Sequence, residues 1–245
     1  MNTTTYSPRL APKAFGLTGS ALKIIAIILM FIDHVGAVIV EQGVLRMPEV
    51  TSVPRLWEQI RNIDQVIRAI GRPAFPIFCF LLVEGFLHTH NRGKYTLRLF
   101  LFALVSEIPF DLAIYGHFWY PEKQNVFFTL LIGLLVMIAC TRFQKHVWLQ
   151  TFFLALGLFA GHFLGTDYGY KGVFLIEILY LLRSDRRIQA LGGALAISWE
   201  LTAPLAFIPI WFYNGLRGTS LKYFFYWFYP VHLLLLVLGR YLLIA

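Results

Sequence analysis

The run LKIIAIILMFIDHVGAVIVE, residues 22–41, constrains this chain more than any other stretch. About twenty apolar residues at ~1.5 Å rise cross the ~30 Å hydrocarbon core of a bilayer. A soluble protein rarely needs such a run, and a passive anchor has no use for Lys23, Asp33 and His34 inside it. Each ionisable group at that depth costs ~2.5 kcal/mol or more, so the three read as functional. Lys23 and His34 lie about three helical turns apart on one face, ~16 Å along the axis.

Composition extends the argument to the whole chain. Of 245 residues, 58% are hydrophobic and 14% charged, against ~45–50% and ~25% in soluble proteins. The excess implies several spans and an all-α, polytopic transmembrane bundle. A polar cytoplasmic tail, 1–21, precedes a single domain, 22–245. The tail lacks a cleavable signal pattern, so the first span is expected to stay. The net charge of +8 sits in short loops between apolar runs, which suits topology signals and lipid headgroups and excludes nucleic acid. Cys79 and Cys140 fall within predicted spans, so no disulfide is expected.

Residues 42–71 form the longest connection. Within it, LWEQIRNIDQVIRAI has apolar residues at helical spacing and reads as an amphipathic helix at the interface. Seven further spans are expected near 73–90, 95–115, 126–141, 147–164, 170–183, 188–212 and 222–243, making eight. An even count puts both termini on one side. Arg92, Lys94, Arg98, Arg142, Lys145, Arg183, Arg186, Arg187 and Arg240 would share that side, which the positive-inside rule makes cytoplasmic.

Asp33, Glu84, Glu107, Asp111, Glu177 and Glu200 all fall within these spans, where carboxylates need bases or water. With that topology, Lys23, His88, Arg92, Lys94 and Arg98 line an inner basic mouth. Asp33, His34, Arg72, Glu107, Asp111, Asn125, Asp167, Asn214, Arg217 and Lys222 lie deeper or toward the outer face. Bland alternatives exist for each. Glu107 and Asp111 suit a structural ion pair, Asp167-Tyr168-Gly169 a turn, and His232 a packing histidine held by a backbone carbonyl. No zinc spacing, phosphate loop or nucleophile elbow occurs. The chemistry leaves two classes: an enzyme using an intramembrane histidine as base or acyl acceptor, or a proton-coupled transporter relaying through the same groups. A non-catalytic assembly factor is a third.

The segments LKIIAIILMFIDHVGA, IGRPAFPIFCFLLVEGFLHTHNRGKYTLRLFLFALVSEIPFDLAIYG, NVFFTLLIGLL, DYGYKGVFLI, YNGLRG and KYFFYWFYPVHLLLL resemble the TraX family, which is associated with N-terminal acetylation of conjugative pilin. That family is similar to the integral-membrane acyltransferases, marked by a basic residue and a His ten intervening residues later; Lys23 and His34 match. The resemblance implies a multi-pass acetyltransferase of the bacterial inner membrane, with acetyl-CoA as donor. Its acceptor would be extracytoplasmic: a protein N-terminus, glycan or lipid. His34 would be the catalytic residue, with Asp33, Glu107 and Asp111 around it. Lys23, His88, Arg92, Lys94 and Arg98 would meet the donor. Arg72, Glu84, Asn125, Asp167, Tyr168, Asn214, Lys222, Tyr226 and His232 would meet the acceptor. A carboxylate, Glu107 or Glu84, is expected to orient His34.

Overall fold

The computed structural model describes residues 15–219 and 222–244. The expected tail, 1–21, lies mostly outside the described residues. Among the described residues the chain is helical with no strand, and two isolated bridges pair Leu17 with Tyr213 and Gln124 with Thr166. The helices are α1 (Gly19–His34), α2 (Pro48–Thr51), α3 (Pro54–Gly71), α4 (Ala74–His88), α5 (Arg92–Ile114), α6 (Val126–Arg142), α7 (Val147–Phe163), α8 (Gly169–Leu181), α9 (Arg186–Ala196), α10 (Phe207–Trp211) and α11 (Lys222–Ile244).

Thr18 starts α1 by accepting a hydrogen bond from Ala21 N, as a helix N-cap should. At His34 the helix does not stop but widens into a π-helix, Val35–Glu41. Such turns are rare and concentrate at functional sites. Gly36 lies in this widened turn, and a Cβ there would come within 2.8 Å of Arg68 Cδ and Asp64 Oδ1. The missing side chain lets α3 lean directly on the first helix. Along α3 only Asp64 and Gly71 are buried, while Leu56, Ile63, Val66 and Ile70 are exposed apolar residues. The amphipathic helix expected from spacing is therefore present.

The chain is a membrane protein. Among the described residues three helical runs are long and apolar enough to cross a bilayer: Gly19–Arg46, Pro54–His88 and Tyr223–Ile244, with Val126–Arg142 and Val147–Phe163 as shorter apolar helices. This is fewer than the eight spans expected. On α7, Trp148, Phe152, Leu156, Phe159 and Phe163 are exposed at helical spacing, a stripe suited to lipid.

The segment 188–212 is not one span. After α9 the chain turns, the Thr202 hydroxyl donates to Ala69 O at 2.6 Å, and a short 3₁₀ turn leads into α10, which runs back. Pro204 and Pro209, lacking N–H groups, suit a broken return rather than a continuous helix. At the far end of this hairpin, Leu17 N donates to Phe212 O.

The fold-back corrects the topology. Thr219 N donates to Ser20 Oγ at one end of the bundle, while Arg240 and Ile244 lie beside Gly43 at the other. Helices α1 and α11 therefore run parallel, and the first and last described helices do not bring the chain back to one face. Asn214 and Arg217 move to the end where α1 starts: Asn214 N donates to Leu17 O, and Ser20 N to Arg217 O. Lys222, at the start of α11, joins them, though its side chain is outside the described part. Arg240 moves the other way, donating to the carbonyls of Leu112 and Ala113. These are the terminal carbonyls of α5, which lack helical donors.

Candidate active site

His34 ends α1, and His232 lies on α11, facing it. His34 Nδ1 is 2.6 Å from His232 Nε2, and the two rings are nearly parallel with centroids 4.9 Å apart. On its other side His232 stacks on Phe228 at 4.7 Å, and its Nδ1 is 2.6 Å from the Phe228 carbonyl oxygen. Tyr229 stands edge-on to both imidazoles at 5.8 Å. His232 is buried. Among the described residues no hydrogen bond is made by His34 Nε2. The expectation that a carboxylate orients His34 is thus corrected: its partner is His232. The packing histidine held by a backbone carbonyl is present, but it also holds His34.

Asp33, one residue earlier on the helix, points elsewhere. Arg68 Nη1 donates to Asp33 Oδ2 at 2.6 Å and to its backbone carbonyl at 3.0 Å. Arg68 Nε lies 3.3 Å from Glu41, and Arg72 Nε lies 3.6 Å from Glu200 and 3.9 Å from Asp33. Tyr168, with a left-handed backbone (φ 61°), stacks on Phe75 at 3.7 Å and reaches Arg72 through its side chain. Asp167 completes this group in the loop between α7 and α8. Burial raises its carboxyl to about 6, with Asp33 pushing the same way and Arg72 opposing.

Glu107 and Asp111, expected near the chemistry, are engaged in holding the 115–125 loop. Glu107 Oε2 accepts from Asn125 N at 3.2 Å and from its side-chain amide, which also donates to Ala103 O at 2.8 Å. Asn125 Oδ1 in turn caps α6 by accepting from Phe127 N at 3.0 Å. Asp111 accepts from Tyr120 N at 2.8 Å. Neither carboxylate is hydrogen-bonded to His34 among the described residues.

Connectivity gathers Lys23, Arg92, Lys94, Arg98, Arg142, Lys145, Arg183, Arg186, Arg187 and Arg217 at the end where α1 begins. Lys23 Nζ lies 5.2 Å from the Phe225 ring, Arg98 lies over Tyr95 at 5.9 Å, and Tyr226 lies beside Arg98. Tyr226 stacks on Phe102 at 4.8 Å and stands one turn before Tyr229 and His232. Lys23 and Arg98 therefore stand beside Phe225 and Tyr226, neighbouring residues of α11 at the basic end, and Tyr226, Tyr229 and His232 follow one another along that helix toward His34. The other expected donor contacts lie apart: Arg92 covers Phe86 at 4.6 Å, His88 bonds back to Glu84 O at 2.8 Å, and Lys94 is exposed. Glu84, expected at the acceptor, pairs with Arg186 at 3.2 Å at this basic end. Asn214 is also at this end, where its amide donates to Gly16 O.

Residues 18–240 match the family model described as TraX protein. The chain belongs to the TraX family. It is also 30% identical over 247 residues, 88% of this chain and 92% of the other, to a Dichelobacter nodosus protein described as "Probable fimbrial assembly protein FimC, serogroup H1". No solved structure matches. Within this TraX-family chain, sequence reading misses Arg68 and Glu41, and it names Glu200 and Arg186 only as a costly carboxylate and a topology signal. The only signal for them was charge on or beside apolar helices, which names candidates without pairing them.

Proposed function

We propose that this TraX-family protein is an integral-membrane acetyltransferase. It moves an acetyl group from acetyl-CoA to an acceptor at the opposite face, with His34 as base or acyl carrier. The supporting observation is the available His34 Nε2, set between a basic mouth and a cluster of carboxylates and arginines. By the positive-inside rule the basic end would be cytoplasmic, where acetyl-CoA is found. Lys23 and Arg98 would meet its phosphates, and the pantetheine arm would follow Tyr226 and Tyr229 inward. As base, Nε2 takes the proton of the acceptor amine or hydroxyl. The acceptor attacks the thioester carbonyl, the carbon–sulfur bond breaks, and the proton passes to the departing CoA thiolate.

The acceptor would enter near Asp33, Arg72, Asp167 and Tyr168. The name of the D. nodosus relative makes a fimbrial subunit's N-terminal amine the first acceptor to test, before a glycan or lipid. The test is mass spectrometry for acetylated products in membranes holding wild-type protein, the His34→Ala variant or neither. Acetylated product that depends on wild-type protein and vanishes in the variant supports the proposal. Full turnover by the variant would sink it. Proton or solute movement in liposomes without acetyl-CoA would favour the transport reading instead.

A further inference from the structure

The histidine pair contains a direction that its distances alone leave undrawn. A backbone carbonyl oxygen can only accept a hydrogen bond. The 2.6 Å contact between His232 Nδ1 and Phe228 O therefore places the hydrogen on His232 Nδ1. In a neutral imidazole the other nitrogen is then an acceptor, so His232 Nε2 carries a lone pair. The nitrogen 2.6 Å from it is His34 Nδ1, which must donate. That leaves the hydrogen-free nitrogen of His34 at Nε2, the atom with no hydrogen bond among the described residues.

We infer that His232 is a positioning residue that fixes His34 in its Nδ1–H tautomer and makes Nε2 the reacting nitrogen. The inference rests on the acyl-transfer reading of His34 but concerns a different residue and a different observable. The arrangement follows the logic of a base oriented by a third group, with a neutral imidazole standing where a carboxylate is more familiar. When Nε2 takes the acceptor's proton, His34 becomes an imidazolium. Its Nδ1–H bond to His232 then becomes charge-assisted and shorter. The bond strengthens as the proton arrives, so it favours the transition state over the ground state. Its own donor stays on Nδ1, held to Phe228 O, and the proton on Nε2 of His34 is the one returned to the CoA thiolate.

Packing supports an orienting role. His232 is buried, lies against the Phe228 ring at an interplanar angle of 17°, and meets the His34 ring edge to edge through the nitrogen contact, 24° from coplanar. A ring flip would break the bond to Phe228 O and the bond to His34 together. The π-helix begins at the next residue after His34, so the local backbone is also set apart from an ordinary helix.

The experiment is nitrogen NMR of the full chain in lipid nanodiscs, with ¹⁵N-histidine and His34 assigned by comparison with His34→Gln. At a pH where imidazoles are neutral, the expected spectrum has hydrogen on His34 Nδ1 and a bare Nε2. His232→Phe keeps the stack on Phe228 but offers His34 no acceptor. It should move His34 toward the Nε2–H form and lower kcat for acetyl transfer at least about tenfold, with KM for acetyl-CoA unchanged. His232→Gln restores an acceptor and should recover the Nδ1–H form and part of kcat. Hydrogen on Nε2 in wild type, or a tautomer unmoved in His232→Phe, would overturn the assignment. The expected tautomer without any acetyl transfer in wild type would uphold the assignment and remove the acyl-transfer reading.

Discussion

Gly71 at the end of α3 stands where Asp33 on α1 leaves no room for a side chain. A Cβ on Gly71 would overlap the Asp33 Cβ and lie 2.6 Å from its Cα and 2.7 Å from its backbone nitrogen. This close approach carries Arg68 and Arg72 to the Asp33 carboxylate. Gly71→Ala should therefore push the two helices apart, at an overpacking cost of about 1–3 kcal/mol. Gly239→Ala is the control, since its nearest neighbour is Ile39 Cδ1 at 3.8 Å. The thermal midpoint in detergent should fall for the first and hold for the second.

Arg68 balances two carboxylates, Asp33 and Glu41, while its own side chain is only 18% exposed. Arg68→Met should leave Asp33 as a poorly solvated charge and cost about 3–5 kcal/mol. Replacing both partners, Arg68→Met with Asp33→Leu, should cost less than Arg68→Met alone, because no orphan charge remains. A double-mutant cycle on thermal midpoints reads this coupling. Strict additivity would mean the pair is a surface contact of little weight.

Asn125 fills its bonding capacity with Glu107, Ala103 O and Phe127 N. Asn125→Ala removes a helix cap and leaves buried Glu107 with only the backbone N–H of residue 125 as donor. The loss should be about 2–4 kcal/mol from these two effects together. Asn125→Asp should be as harmful, since it sets a second carboxylate against Glu107. If either variant kept its stability and lost only acceptor turnover, Asn125 would be an acceptor contact rather than a brace.

The separate legibility of these features has physical reasons. His34 stood out because a ionisable pair on one helix face inside an apolar run is a local pattern. The amphipathic α3 was legible for the same reason. The return of the chain after α9 was not, because residues 188–212 have the same apolar composition whether they continue or fold back. What decides it is Thr202 bonding to Ala69 O, a contact 133 positions away in the chain. Counting that span as a single crossing puts Asn214, Arg217 and Lys222 at the wrong end of the bundle. The carboxylates were recognised as costly, but spacing could not pair Asp33 with Arg68 or Glu107 with Asn125. His232 was noticed, yet its meeting with His34 joins the first and last helices and has no sequence signature.

Asp167 makes stability depend on pH. Its folded pKa of about 6 lies above the ordinary 3.8, chiefly through burial. The fold therefore penalises the charged form, and the group's contribution is complete below the ordinary value and lost as pH rises through about 6. The thermal midpoint should carry a downward step between about pH 4 and about pH 7 that is absent in Asp167→Asn. A step of the opposite sign would mean that Arg72 outweighs burial and holds the carboxylate ionised.

The basic end divides into residues that face a common mouth and residues that do not. Lys23 beside Phe225 and Arg98 beside Tyr95 and Tyr226 belong to the mouth, whereas Arg92 lies across Phe86 and Lys94 is exposed. A hydrogen bond to a charged group is worth about 1.5–3 kcal/mol, or roughly ten- to a hundredfold in affinity. Lys23→Gln and Arg98→Gln should each weaken acetyl-CoA binding by about that factor at low salt, while Arg92→Gln and Lys94→Gln should change it by less than about threefold. Titration calorimetry in nanodiscs separates the two groups, and repeating it at high salt should shrink the larger effects less if those charges are partly buried. Equal losses in all four variants would make the basic end a diffuse electrostatic attractor, with no mouth of its own.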